Sequence, residues 1–456
     1  METRCLSEQF MDTRETFADD PGAIMSKIVG NKKFAELYAR YESTYRRRVF
    51  TPLITLSMFV LQAVDTDKAQ RKAVATMMTH LANKKLSNGS RDASAYCQAR
   101  QRFPMSLLVE STKMLAEQME PQGRRDLWHG RHVKLIDGSS FSMPDTPENQ
   151  AYFGQPSGQK PGCGFPVAKI AGLFSLTTGA VHDVASGPYR AGERSLSHQL
   201  WRSLKPDDIL AADSYYGTYA DIVLLKERGV DVVFRVHQRR LVSARGPRDT
   251  IKTWPKCAKP RWMTQQQFDA LPDTLTVRII RVKIRDASRR VKQVVLVTTL
   301  LNKKHYPAKA IAGLFGRRWE IETDFAHIKT TMSMDVLAAH KPQTIIKEMW
   351  GHMLGYNLIR SMMWEAGNRH NINPLRLSFK GAIQEVMAFG PLTTTACARG
   401  KSSRYAHLLR HIATHKIPNR PGRQEPRVKK RRPKQYPLMT KPRPQLREEL
   451  HIMSLS

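Results

Sequence analysis

Two short apolar runs, at 133–136 and 209–212, each stop at an aspartate, Asp137 and Asp213. Near-continuous apolar runs of this length mark strands buried on both faces, and such strands belong to sheets layered with helices. Further apolar runs at 167–176, 179–184 and 232–236 are interleaved with helical stretches at 191–204 and 219–228, the second stopped by Gly229. Strands followed by helices predict an α/β fold over this part of the chain. In open sheets of that kind, sites gather at the carboxyl ends of the strands. Acids placed there on adjacent strands can share a metal ion. Asp137 is followed by Gly138, which admits a close neighbour. Each aspartate taken alone reads equally well as a turn or cap residue.

A third acid comes from the segment Phe315-Gly316-Arg317-Arg318-Trp319-Glu320-Ile321-Glu322-Thr323-Asp324-Phe325-Ala326-His327-Ile328-Lys329. The pattern predicts one helix over 307–330 and another over 342–366, with Pro342 in the first turn of the latter. At ~100° per residue, Arg318, Glu322, Phe325 and Lys329 share one stripe with Phe315 at its edge, while Glu320 and Asp324 point the other way. A surface ladder of i, i+4 ion pairs is the plain reading of such a stripe. It leaves the aromatic residue in the middle unexplained, whereas one carboxylate for metal and two cations for phosphate account for the face. Three carboxylates suit two hard cations, since Mg²⁺ prefers oxygen ligands. Two such ions, roughly 3.5–4 Å apart, clamp the attacking and leaving oxygens of a phosphoryl displacement.

Charge points to the same substrate. Lysine and arginine number 74 against 40 acids, a formal charge of +34. A charge of that size is best tolerated beside a polyanion, of which phosphate backbones are the commonest. Residues 1–125 read as a helical, DNA-contacting domain: Phe34, Leu37, Tyr38 and Tyr41 fall on one helix face, Arg46 to Arg48 form a basic knot, Asn88-Gly89 marks a loop, and a basic helix begins at Tyr96. Residues 126–370 read as the α/β domain that carries the three acids, the expected catalytic domain, interrupted at about 237–304 by a β-rich insertion. Its two long strands flank Asp286-Ala287-Ser288, and Arg281, Lys283 and Arg285 alternate with Val282 and Ile284, so that one face packs and the other meets phosphate. From 371 to 456 a helical part leads into a basic, proline-rich tail centred on Lys429, Lys430, Arg431 and Arg432, expected to lie along DNA.

The five cysteines, Cys5, Cys97, Cys163, Cys257 and Cys397, form no Cys-x-x-Cys pair and no disulfide scaffold. The longest apolar stretch, 52–64, is too short to span a bilayer. With no apolar signal-peptide core at the N-terminus, the expectation is a cytoplasmic, nucleoid-associated protein without membrane or small-molecule cofactor. His132, His182 and His198 read as packing or phosphate-facing residues, because hard-metal sites favour oxygen ligands.

The spacing Phe315, Arg318, Glu322, Lys329 resembles the Tyr-x2-Arg-x3-Glu-x6-Lys signature of one large group of bacterial insertion-sequence transposases of the DDE type, with phenylalanine in place of tyrosine. Asp137 in Ile-Asp-Gly-Ser resembles the first aspartate of that group. Asp213 in Leu-Ala-Ala-Asp-Ser-Tyr-Tyr resembles the second, with Ser214 where arginine is frequent. The stretch Asp145 to Asn149, the later Tyr356-Asn357-Leu358-Ile359-Arg360 and the basic Lys430 to Lys434 are similar too.

The resemblance implies a ribonuclease-H-like catalytic core with Asp137, Asp213 and Glu322 as catalytic metal ligands for two Mg²⁺ or Mn²⁺. It implies excision and insertion of an element by hydrolysis and strand transfer, binding of its terminal inverted repeats, and a homodimer on double-stranded DNA comprising transposon ends and target. Arg318 and Lys329 would contact phosphates near the cleaved end. Trp254, Trp262 and Trp319 are candidates for stacking a flipped base, with core packing the ordinary role of any one tryptophan. The rival readings are a ribonuclease-H-like nuclease without strand transfer and an inactive, transposase-derived DNA-binding protein.

Overall fold

The computed structural model describes residues 32–42, 50–65, 67–83, 92–121, 127–236, 246–285, 291–393, 398–418 and 437–455. Arg46 to Arg48, Asn88-Gly89, Asp286-Ala287-Ser288 and the tail residues Lys429, Lys430, Arg431 and Arg432 lie outside the described residues.

The chain opens with helices α1 (Lys32–Glu42), α2 (Pro52–Val64), α3 (Gln70–Asn83), α4 (Ala93–Arg102) and α5 (Met105–Met119). Then follow β1 (Val133–Ser142), α6 (Pro147–Phe153), β2 (Val167–Ser175), β3 (Val181–Pro188), α7 (Glu193–Leu200), β4 (Ile209–Ala212), α8 (Tyr219–Glu227) and β5 (Asp231–Arg235). The insertion supplies β6 (Asp249–Pro255), α9 (Gln265–Asp269), β7 (Thr274–Arg285) and β8 (Val291–Thr298). The rest is helical: α10 (Ala308–Arg317), α11 (Glu320–Ala326), α12 (Pro342–Arg369), α13 (Phe379–Thr393), α14 (Ala398–Thr414) and α15 (Arg443–Leu455). Among the described residues no helix is long and apolar enough to cross a membrane.

The chain divides into two compact units that do not follow its linear order. One takes residues 1–120, 177–183 and 323–418; the other takes 121–176, 184–322 and 419–456. The helical unit is built around α12, which packs against α2, α5, α13 and α14. Its buried residues face every side, among them Met349, Met353, Tyr356, Leu358, Ile359 and Met362, so it is a core helix rather than an amphipathic surface one.

The polar residues of α12 are satisfied inside that core. Asn357 accepts from Val181 N at 2.9 Å and donates to the carbonyls of Thr112 and Val181 at 2.9 and 2.8 Å. Arg360 pairs with Asp324 at 2.5 Å and donates to the Tyr356 hydroxyl at 2.8 Å, and that hydroxyl lies 2.9 Å from Asp324. His352 has its tautomer fixed: Nδ1 donates to the Glu348 carbonyl at 2.8 Å, and Nε2 accepts from Lys68 at 2.7 Å.

The sheet order is β3-β2-β1-β4-β5-β8-β7-β6. β1 and β2 are antiparallel over nine pairs, from Lys134↔Ser175 to Ser142↔Val167. β4 is parallel to β1 over only three, Val133↔Ile209 to Leu135↔Ala211, and β5 is parallel to β4. One face is covered by α7 and α8, whose Leu196, Leu200, Tyr219, Ile222 and Val223 bury Ile136, Leu173, Leu210 and Ala212.

Two expectations need correcting, on β1 and on the helix at 307–330. β1 does not stop at Asp137 but runs on to Ser142, because β2 keeps pairing it, Asp137↔Gly172 and Ser139↔Ile170 included. The strands of the insertion join the sheet: β8 pairs antiparallel with β5, so β8, β7 and β6 extend it. The helix expected over 307–330 is broken. α10 ends at Arg317, and i→i+3 bonds from Arg318, Ile321 and Glu322 to Phe315, Arg318 and Trp319 tighten the chain into α11. A π turn at His327–Thr331 follows, closed by Met332 N to His327 O at 2.9 Å.

Candidate active site

Asp137 and Asp213 sit two residues beyond the last paired positions, Leu135 and Ala211, of neighbouring parallel strands. Equal offset on in-register parallel strands puts both side chains on one face of the sheet. Asp213 also caps the 3₁₀ turn Ser214–Tyr216, accepting from Ser214 N at 2.7 Å. Asp137 accepts from Gly138 N at 2.9 Å.

Glu322 is drawn to the same place through Arg318. The Arg318 guanidinium lies 3.7 Å from Asp137 and 3.6 Å from Glu322. Its position is set from below by aromatic rings, with Phe315 centred 5.9 Å and Trp319 5.3 Å away. Phe315 is buried, so its ring supports Arg318, whereas Trp319 is 40% exposed. Arg318 is itself buried, and its Nε has no hydrogen-bond partner.

The electrostatics are those of a crowded acid site. Burial pushes the Asp137 carboxyl up to about 6; the Gly138 amide and Arg318 oppose this, and Glu193 and Glu322 add to it. Glu193 was not anticipated from sequence. It opens α7, and its Oε1 accepts from the Tyr216 hydroxyl at 2.5 Å. A methyl group built on Gly138 would fall on the Glu193 carboxyl group. The sequence signal for this was only the glycine after Asp137.

Asp137, Glu193 and Glu322 thus share one neighbourhood, with Asp213 on the adjacent strand. All are oxygen donors, which suits a hard divalent cation rather than a soft one. Among the described residues no three acidic, histidine or cysteine side chains close on one point; Asp137 and Glu322 close instead on the Arg318 guanidinium. The donor set, the raised Asp137 and the unpaired Arg318 Nε fit a site that takes a cation among its acids and an anion beside them.

Lys329 lies in the other unit, half-buried on the π turn. In the insertion, Arg281 is buried and donates to the Pro247 carbonyl at 2.7 Å, while Lys283 is exposed. Both line a cavity of about 780 Å³ with Arg248, Lys309 and the start of α10, and no acid is among the described residues that line it. Arg285 ends β7. Arg278 is wholly buried and pairs with Asp249 at 2.8 and 2.7 Å. Trp254 is a core residue, while Trp262 is 39% exposed and packs edge-on against His198. His198 bonds to Asp221 at 2.8 Å, and His182 to Glu120 at 2.7 Å.

A family model described as a transposase DDE domain matches residues 128–358. Transposase InsG for insertion sequence element IS4 of Escherichia coli (strain K12) is 27% identical over 363 residues, 76% of this chain and 78% of that protein. The putative transposase InsZ of the same strain is 28% identical over 140 residues, 30% of this chain and 46% of that protein. A solved piggyBac transposase synaptic complex with hairpin DNA aligns over 88% of this chain and 85% of that chain, but at 11% identity and a TM-score of 0.40 it carries no argument. The chain belongs to the family of transposases with a DDE catalytic domain, enzymes of DNA transposition.

Proposed function

We propose that this transposase excises and inserts an insertion sequence with Asp137, Asp213 and Glu322 as its metal-holding carboxylates. The observation that carries the reading is the register of β1 and β4, which sends Asp137 and Asp213 off one face while Arg318 bridges Asp137 to Glu322. The meander β3-β2-β1 followed by parallel β4 and β5 supports a ribonuclease-H-like core. Two Mg²⁺ or Mn²⁺ ions would supply charge stabilisation for the attacking and departing oxygens.

The protein's own residues do the rest. The carboxylates hold the ions and fix their places. Arg318, no longer needed to neutralise Asp137 and Glu322, grips a strand phosphate, and Phe315 and Trp319 keep its plane oriented. Lys329 takes a second phosphate. Lys283, Arg248 and Lys309 bind duplex backbone away from the cut, whereas Arg281, expected there too, is buried on the Pro247 carbonyl; Arg285 and the tail Lys429, Lys430, Arg431 and Arg432 add further charge for phosphate. Terminal inverted repeats are the specific DNA, and a homodimer on DNA holds two ends together.

The test is cleavage of a supercoiled plasmid carrying the element's own ends, with Mg²⁺, by wild type and Glu322→Gln. Wild type should cut at the ends, and the variant should bind them without cutting. Cutting by both proteins would remove Glu322 from the chemistry.

A further inference from the structure

We infer that Glu193 is a fourth carboxylate of the metal site, reaching toward Asp137 through the space left by Gly138 and aimed by Tyr216. The inference rests on the reading of Asp137, Asp213 and Glu322 as metal ligands, and adds one residue to it.

Gly138 is the first reason. It sits within the β1–β2 ladder, paired with Ala171, and its backbone is not in the left-handed region that favours glycine. What glycine supplies there is room. On the face that α7 covers, any side chain at 138 would overlap the Glu193 carboxyl group. The carboxylate therefore lies against β1 one residue from Asp137.

Tyr216 is the second. It is 5% exposed, in the sheet's core cluster, and holds Glu193 Oε1 at 2.5 Å. It ends the 3₁₀ turn that Asp213 caps, so one short turn fixes both Asp213 and the group that orients Glu193. A glutamate opening a helix is ordinarily explained by the helix dipole alone. That role needs neither a glycine opposite nor a buried tyrosine as partner. Among the described residues no ion pair joins Glu193 to a lysine or arginine, and the neighbouring Arg194 goes to Asp221 at 3.5 Å. Carboxylates brought together this way repel one another, and a divalent cation is what makes the arrangement favourable.

The experiment is calorimetric titration of Mn²⁺ into the full chain bound to DNA carrying the element's ends. Wild type is compared with Glu193→Gln, Gly138→Ala, Tyr216→Phe and Asp137→Asn, and DNA binding in EDTA is the check on folding. Glu193→Gln should weaken Mn²⁺ binding by about 10-fold or more, with DNA affinity in EDTA unchanged. Gly138→Ala, which displaces the carboxylate without removing it, should do the same, and Tyr216→Phe should cost several-fold as an orienting partner. Wild-type Mn²⁺ affinity in Glu193→Gln and Gly138→Ala, alongside its loss in Asp137→Asn, overturns the role of Glu193 and leaves the three-carboxylate site standing. Wild-type affinity in Asp137→Asn as well overturns both.

Discussion

Asp137→Asn should stabilise the metal-free protein at neutral pH while disabling its site. The Asp137 carboxyl titrates at about 6 in the fold against an ordinary 3.8, chiefly because it is buried. The folded state thus binds its proton more tightly than the unfolded state. The stability this contributes is complete below the unfolded value and is lost as pH rises through the folded one. About two pH units correspond to about 3 kcal/mol lost by pH 7.5, of which about 1 kcal/mol is already gone at pH 4.5. Asparagine carries no such charge. It also gives up the 3.7 Å pairing with Arg318, an offset of at most about 1 kcal/mol for a loose pair at a side chain 24% exposed.

The variant's stability relative to wild type should therefore rise by about 2 kcal/mol between pH 4.5 and pH 7.5. Urea unfolding in EDTA, followed by tryptophan fluorescence at both pH values, reads this directly. A difference between the two proteins that is the same at both pH values, or that moves in wild type's favour as pH rises, refutes the reasoning.

Three other outcomes are expected. Arg360→Met removes the arginine that pairs with buried Asp324, and should destabilise the helical unit by about 3–5 kcal/mol; a loss below about 1 kcal/mol in urea unfolding would contradict the network. His352 is held down to about 3 by burial, with Lys68 adding, so the stability it contributes is present above 6.5 and lost as pH falls toward 3. His352→Gln should then unfold at a lower pH in an acid titration by circular dichroism, and an unchanged midpoint would count against that account. Lys309→Ala should weaken binding to all duplexes alike and reduce the salt dependence by about one counterion; a loss confined to one sequence would show that the basic cavity reads bases.

The acids proposed at 137, 213 and 322 are each marked locally in the sequence, two by apolar runs that stop at them and one by its spacing from Arg318. Glu193 and Tyr216 carried no such mark. They meet through the packing of α7 on the sheet, and nothing in the chain near Glu193 records it. The same holds for Arg278, which reads as one more basic strand residue but is buried on Asp249. Helical periodicity aligned Lys329 with Glu322, yet it assumes uniform turns, and the break at Arg318 and the π turn at His327–Thr331 remove that assumption. The joining of helices from both ends of the chain around α12 is likewise a tertiary outcome.

The short β1–β4 pairing also bears on when the protein becomes an enzyme. The β1–β2 ladder forms between segments close in sequence, but Val133 meets Ile209 only after the whole intervening meander and α7 have been threaded. Parallel pairing across such a separation is slow, since loop-closure entropy must be lost before contacts repay it. A chain in which β4 has not paired with β1 therefore holds the two aspartates apart, however well the β1–β2 ladder is formed. If Asp137 and Asp213 hold metal as proposed, that one register is the step that makes the site.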